Sequence, residues 1–219
     1  MPTIKISPSL LSCDFTRLQE EIKKIEKTSA EMIHFDIMDG CFVPNITIGP
    51  MFVEMCRPLS QKIFDVHLMI KNVPHFIEIF LKAGADRLAF HVETTHDILP
   101  LLNTIKDQKK YAGLAISPQT SIKNMGPYLH FIDYVIIMTV EPGFGGQSFL
   151  QETLSKIEYL ASYKKHTGLK FDITVDGGIN METAQYAIAK GAETLVAGTA
   201  IFKGPSPLYE ENIKLLRSL

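Results

Sequence analysis

No run of apolar residues in this chain approaches the ~18 needed for a membrane-crossing helix, and its start lacks the charged and greasy segments of a secretion signal. Neither charge dominates: 22 basic residues stand against 24 acidic ones along the whole length, for a formal net charge of −2. That balance leaves no electrostatic footprint for nucleic acid and no acidic tail. Cysteine is scarce. Cys13, Cys41 and Cys56 are too few and too irregular to form a disulfide scaffold, and none forms a CxxC pair. No Gly/Ser-rich linker, low-complexity tract or composition break divides the 219 residues. The expectation is one domain over 1–219, cytoplasmic and reduced, with no nucleic-acid or membrane partner.

What the chain does have is alternation. Hydrophobic residues make up 46% and charged residues 21%, a globular composition that excludes disorder. A chain of this length buries roughly 70% of its unfolded surface, enough for one sizeable core. Short apolar or β-branched runs predict strands at 4–6, 32–37, 64–68, 87–91, 112–116, 134–138, 171–175 and 194–197. Most lack strict alternation, as strands of a parallel sheet buried on both faces should. Helical patterns lie between them. Phe15, Leu18, Ile22 and Ile25 share one face behind Asp14 as N-cap. Pro74 opens another helix, and Gly84 and Gly191 end helices just before strands. Eight strand–helix units of about 27 residues predict a closed α/β (β/α)8 TIM barrel. A doubly wound open sheet is the alternative, but no G-x-G-x-x-G follows its first strand.

Barrels carry their chemistry at the C-terminal ends of strands. His34-x-Asp36 has strand spacing, so both side chains leave one face. His67 sits at the corresponding place on the next strand and Asp176 arrives from far downstream. Two imidazoles and two carboxylates at one mouth form a site for Zn²⁺, Mn²⁺ or Fe²⁺; separate satisfaction by hydrogen bonds is the plainer alternative.

Glycine marks a second function. In Pro142-Gly143-Phe144-Gly145-Gly146-Gln147, three glycines in four positions let successive N–H groups turn toward one anion. Gly177-Gly178 and Gly198-Thr199 follow the seventh and eighth strands, where barrels commonly hold phosphate. A phosphorylated substrate is expected. Met38, Met69 and Met138 end three strands, either as core filler or as an apolar lining that excludes water. His91 and Glu93 also stand at a strand end, without an assigned role.

Six ordered segments make the chain recognisable: Ser7-Pro8-Ser9-Leu10-Leu11, His34-Phe35-Asp36-Ile37-Met38-Asp39-Gly40, Phe42-Val43-Pro44-Asn45, Asp65-Val66-His67-Leu68-Met69, Met138 through Gln147, and Val175-Asp176-Gly177-Gly178. Together they closely resemble the ribulose-phosphate 3-epimerase family over essentially the whole length. The resemblance implies a ribulose-phosphate-binding barrel acting as an isomerase of the pentose phosphate pathway. It implies one divalent metal per subunit, zinc first, with iron, manganese or cobalt as alternatives. His34, Asp36, His67 and Asp176 match the metal ligands, with Asp36 and Asp176 also the acid–base pair. Ser9, His67, Gly143, Phe144, Gly145, Gly146, Gly177, Gly178, Gly198 and Thr199 match positions that bind the ketose phosphate. A homo-oligomer is implied as well.

The resemblance implies inversion at C3 of D-ribulose 5-phosphate, with Asp36 as base and Asp176 as acid toward D-xylulose 5-phosphate. Lys5 through Ser9 also resembles allulose-6-phosphate 3-epimerases, which keeps a hexulose phosphate as the alternative substrate. A Schiff-base aldolase is disfavoured because no lysine lies at the predicted strand ends. A sugar-phosphate sensor without chemistry has no need of two opposed carboxylates.

Overall fold

The computed structural model describes residues 3–218. Its strands are β1 (Lys5–Pro8), β2 (Met32–Met38), β3 (Ile63–Met69), β4 (Arg87–His91), β5 (Tyr111–Ile116), β6 (Tyr134–Met138), β7 (Asp172–Asp176) and β8 (Thr194–Ala197). All are parallel, in the order β1-β8-β7-β6-β5-β4-β3-β2. A single parallel bridge between Ser9 and His34 joins the two ends of that sheet. This is the expected (β/α)8 barrel, and every predicted strand is present. The first is shifted toward Pro8.

The helices are α1 (Leu18–Glu26), α2 (Pro50–Cys56), α3 (Val73–Lys82), α4 (Ile98–Asp107), α5 (Leu154–Thr167), α6 (Met181–Lys190), α7 (Thr199–Phe202) and α8 (Tyr209–Arg217). Between β5 and β6 the α-helix is replaced by a 3-10 segment, Ile122–Tyr128, which contains Pro127. Proline lacks an N–H and crowds the preceding turn, so a regular helix is disfavoured there. Gly84 and Gly191 adopt φ of 112° and 107°, the left-handed turn inferred for both. Asp14 does cap, but it caps a 3-10 turn (Phe15–Arg17), and α1 begins at Leu18. Phe15 is therefore off the buried face. It lies 43% exposed and packs its ring against Phe52.

Two apolar layers result. Alternate strand residues such as Phe35, Phe64, Val66 and Phe90 pack outward with Ile22, Val53, Ile77 and Phe80 of the helices. Each such side chain contributes about 1.5–3 kcal/mol on burial. The other strand face forms a separate cluster, Ala89, Ala115, Tyr134, Ile136, Met138 and Val140. Polar residues interrupt that face in β2 and β3, at His34, Asp36, Asp65 and His67, while Met32, Met38, Ile63 and Met69 share it, so alternation is partial in these two strands. Among the described residues no helix is long and apolar enough to cross a membrane.

Candidate active site

In-register pairing of β2 with β3 sets His34 beside Asp65 and Asp36 beside His67. Period-two alternation sends all four side chains to the same face. β7 brings in Asp176, whose Oδ2 lies 3.6 Å from His34 Nε2 and 3.4 Å from His67 Nδ1. Asp36 Oδ1 is 3.5 Å from His34 Nε2. One ligand atom from each of His34, Asp36, His67 and Asp176 falls within 4.8 Å of all the others, and all four residues are buried.

This quartet fits a divalent ion on its own geometry. His34 Nε2, His67 Nδ1 and Asp176 Oδ2 are buried without any hydrogen-bond partner. Orphaned polar atoms in an interior cost about 1–3 kcal/mol each, and a cation at their centre would satisfy all three. The two-nitrogen, two-oxygen set is one that first-row divalent metals accept.

Beneath the quartet lies a charged support. Asp65 Oδ2 accepts from His34 Nδ1 at 2.9 Å, while its Oδ1 sits 3.4 Å from Arg87 Nε. The Arg87 guanidinium lies over the Tyr134 ring, 3.8 Å from its centroid, and donates to Thr174 Oγ1 at 3.1 Å. Burial would raise the Asp65 pKa, but Arg87 and His34 together bring it down to about 2. Burial likewise opposes ionisation of Asp36; His34 beside it prevails and holds its pKa below the ordinary value. The Ser9 hydroxyl donates to Asp36 Oδ2 at 2.6 Å.

A cavity opens above the quartet. Ser9, Asp36, Met38, Met69, Met138, Asp176 and the turns Gly143–Gly146, Gly177–Gly178 and Gly198–Thr199 all line it. Asp36 and Asp176 thus face a common space. Among the described residues, no acceptor meets the N–H groups of Gly177, Gly178, Gly198 or Thr199. Among the described residues no lysine or arginine lines the cavity, which leaves these main-chain N–H groups and the side chains of Ser9, Ser12, Gln147 and Thr199 as the donors there. The three methionines are lining, not only core filler. His34 and His67 are fully buried and lie behind the cavity wall, which places His67 with the quartet rather than on the cavity's surface.

Sequence reasoning missed Leu11 and Ser12, which also line the cavity, and it missed Asp65. Asp65-x-His67 repeats the spacing of His34-x-Asp36 on the neighbouring strand, a signal that was available. Arg87 carried none: an arginine opening a strand reads as surface. His91 and Glu93 form a further contact set beside His67. Burial takes the His91 pKa down to about 4 despite Glu93. Burial raises the Glu93 pKa, but His91, Thr120 and the Ser117 N–H together outweigh it and bring it to about 2.

Fold and site define a (β/α)8-barrel protein with a candidate metal centre between two carboxyls at its strand ends. The model of the ribulose-phosphate 3 epimerase family matches residues 5–202. Ribulose-phosphate 3-epimerase of Bacillus subtilis (strain 168) is 46% identical over 200 residues, covering 91% of this chain and 92% of that one. The Synechocystis protein of the same name is 44% identical, with 98% and 94% covered. Among solved structures, KGPDC from Streptococcus mutans superposes with a TM-score of 0.71 at 15% identity, over 99% of this chain and 98% of that one; that likeness concerns the fold alone. The chain belongs to the ribulose-phosphate 3 epimerase family.

Proposed function

We propose that this barrel, acting as a single catalytic domain, interconverts D-ribulose 5-phosphate and D-xylulose 5-phosphate by proton transfer at C3 between Asp36 and Asp176. The observation that carries the reading is the opening of both carboxyls, from β2 and β7, into one cavity that is also lined by glycine turns whose main-chain N–H groups meet no acceptor.

A proton next to a ketone is too weakly acidic to leave at useful rates unaided. Asp36, held ionised by its neighbours, takes it from C3 on one face; Asp176 delivers a proton on the other, and the roles reverse on return. His34, Asp36, His67 and Asp176 would hold a divalent ion, zinc by preference for this donor set, which supplies Lewis-acid stabilisation of the charge on the ene-diolate oxygens. Ser9 orients Asp36 through its short bond. The amides of Gly177, Gly178, Gly198 and Thr199, with the Gly143–Gly146 turn, hold the phosphate and align C3 between the carboxyls. Met38, Met69 and Met138 keep water from the reacting carbon. With no lysine on the cavity wall, Schiff-base chemistry has no amine to start from.

The test is a parallel assay on D-ribulose 5-phosphate and D-allulose 6-phosphate with defined divalent metals. Faster turnover of the pentulose supports the reading. Preference for the hexulose would reassign the substrate, and binding without turnover of either would make the protein a sensor.

A further inference from the structure

The two histidines of the quartet are braced differently. His34 reaches a carboxylate directly, at Asp65. His67 does not: its Nε2 lies 2.9 Å from Nε2 of a second imidazole, His91, whose Nδ1 lies 3.1 Å from Glu93 Oε2. Both rings are fully buried and nearly parallel, with centroids 5.0 Å apart at 19°.

We propose that Glu93 and His91 are positioning residues that fix the tautomer and orientation of His67, and through it the grip of the site on its ion. The inference rests on the metal reading above. Its logic is a count of donors and acceptors. An ionised carboxylate only accepts, so Glu93 places a proton on His91 Nδ1. At 2.9 Å the two Nε2 atoms share a single hydrogen, and with the His91 proton drawn to Nδ1 by Glu93, His67 Nε2 is the one that carries it. His67 Nδ1 is left with its lone pair facing Asp176, where it is orphaned. Reversing the chain would put an N–H in the place a cation needs.

The rest of the neighbourhood holds this arrangement still. The Ser117 N–H donates to Glu93 Oε1 at 2.8 Å, and Ser117 Oγ lies 3.3 Å from His91 Nδ1. Lys156 ties down that segment by donating to the carbonyls of Ser117, Pro118 and Thr120 at 2.8, 2.6 and 2.7 Å. The Phe42 ring covers His91, with centroids 4.8 Å apart. Outer partners of this kind typically change metal affinity about 10–100-fold.

Glu93→Gln keeps the shape but lets the amide donate as well as accept, so it no longer dictates the relay. Zn²⁺ transfer from the loaded protein to a chromophoric chelator is expected to be favoured by about 10- to 100-fold in the variant. The visible spectrum of its Co²⁺ form should change, while the melting temperature of the metal-free protein stays close to that of the unaltered chain. Unchanged chelator transfer and an unchanged Co²⁺ spectrum would overturn the proposal. Should the variant not fold, ¹⁵N NMR of the unaltered Zn²⁺-loaded protein decides: Nδ1 coordination and Nε2 protonation at His67 are expected, and the opposite tautomer refutes the relay. A protein that binds neither Zn²⁺ nor Co²⁺ would refute the metal reading itself, and the relay with it.

Discussion

His34 Nδ1 and Asp65 Oδ2 stand 2.9 Å apart, both fully buried, and this bond turns His34 Nε2 toward the carboxyls of Asp36 and Asp176. Asp65 is thereby shared between a quartet histidine and the buried Arg87. Asp65→Asn should weaken divalent-metal binding by about 10–100-fold, measured by calorimetric titration. It also removes the carboxylate paired with buried Arg87 and leaves only the more distant charge of Asp172, a loss of up to about 3–5 kcal/mol in denaturant unfolding. Unchanged values in both measurements would contradict the support assigned to Asp65.

Tyr134 occupies the barrel interior only because β5 carries a glycine opposite it. A Cβ on Gly113 would fall 2.4–2.7 Å from three ring atoms of Tyr134. Gly113→Ala should therefore destabilise by about 1–3 kcal/mol through overpacking. The Tyr134 ring that it displaces also carries Arg87. Urea midpoints at constant slope would report it.

At the opposite end of the barrel, Lys5 Nζ lies 2.5 Å from Asp172 Oδ2. Burial raises the Asp172 pKa, but Arg87 and Lys5 outweigh it and the pKa is lowered. A depressed folded-state value means stability that is fully present above the unfolded carboxylate pKa of ~3.9 and lost as pH falls through the lower folded value. The stability deficit of Asp172→Asn should accordingly be full at neutral pH and shrink on acidification below that point. A deficit that grows with acid would reverse the sign.

The three thiols should separate cleanly by reactivity. Burial pushes Cys13 up to about 12 and Cys56 to about 11, whereas Cys41 is exposed. Thiolate is the reactive form, so a maleimide at mildly alkaline pH should label Cys41 alone in the folded protein, and all three after denaturation. Mass spectrometry of tryptic peptides reads the outcome.

The parts legible in the sequence were those with a local signature. The strands announced themselves by composition, Gly84 and Gly191 by the helix ends they close, and His34-x-Asp36 by its spacing. The glycine turns could be placed at the cavity because the barrel rule put them at strand ends, and they do line it. What could not be read depends on pairing across strands. Asp65 becomes a support for His34 only when β2 and β3 align in register. Arg87 becomes interior only once Asp65, Tyr134 and Thr174 surround it. Asp14 signalled a helix start correctly in kind but one turn early, because a 3-10 turn satisfies the same capping bond.

The most direct test of the two-carboxyl account is deuterium at C3 during turnover of D-ribulose 5-phosphate in deuterated water, followed by NMR, for the unaltered protein and for Asp36→Asn and Asp176→Asn. The expected result is D-xylulose 5-phosphate carrying solvent deuterium at C3, with each variant slowed by at least ~10²–10⁴-fold. Product retaining the original hydrogen, or near-normal turnover in either variant, would contradict it.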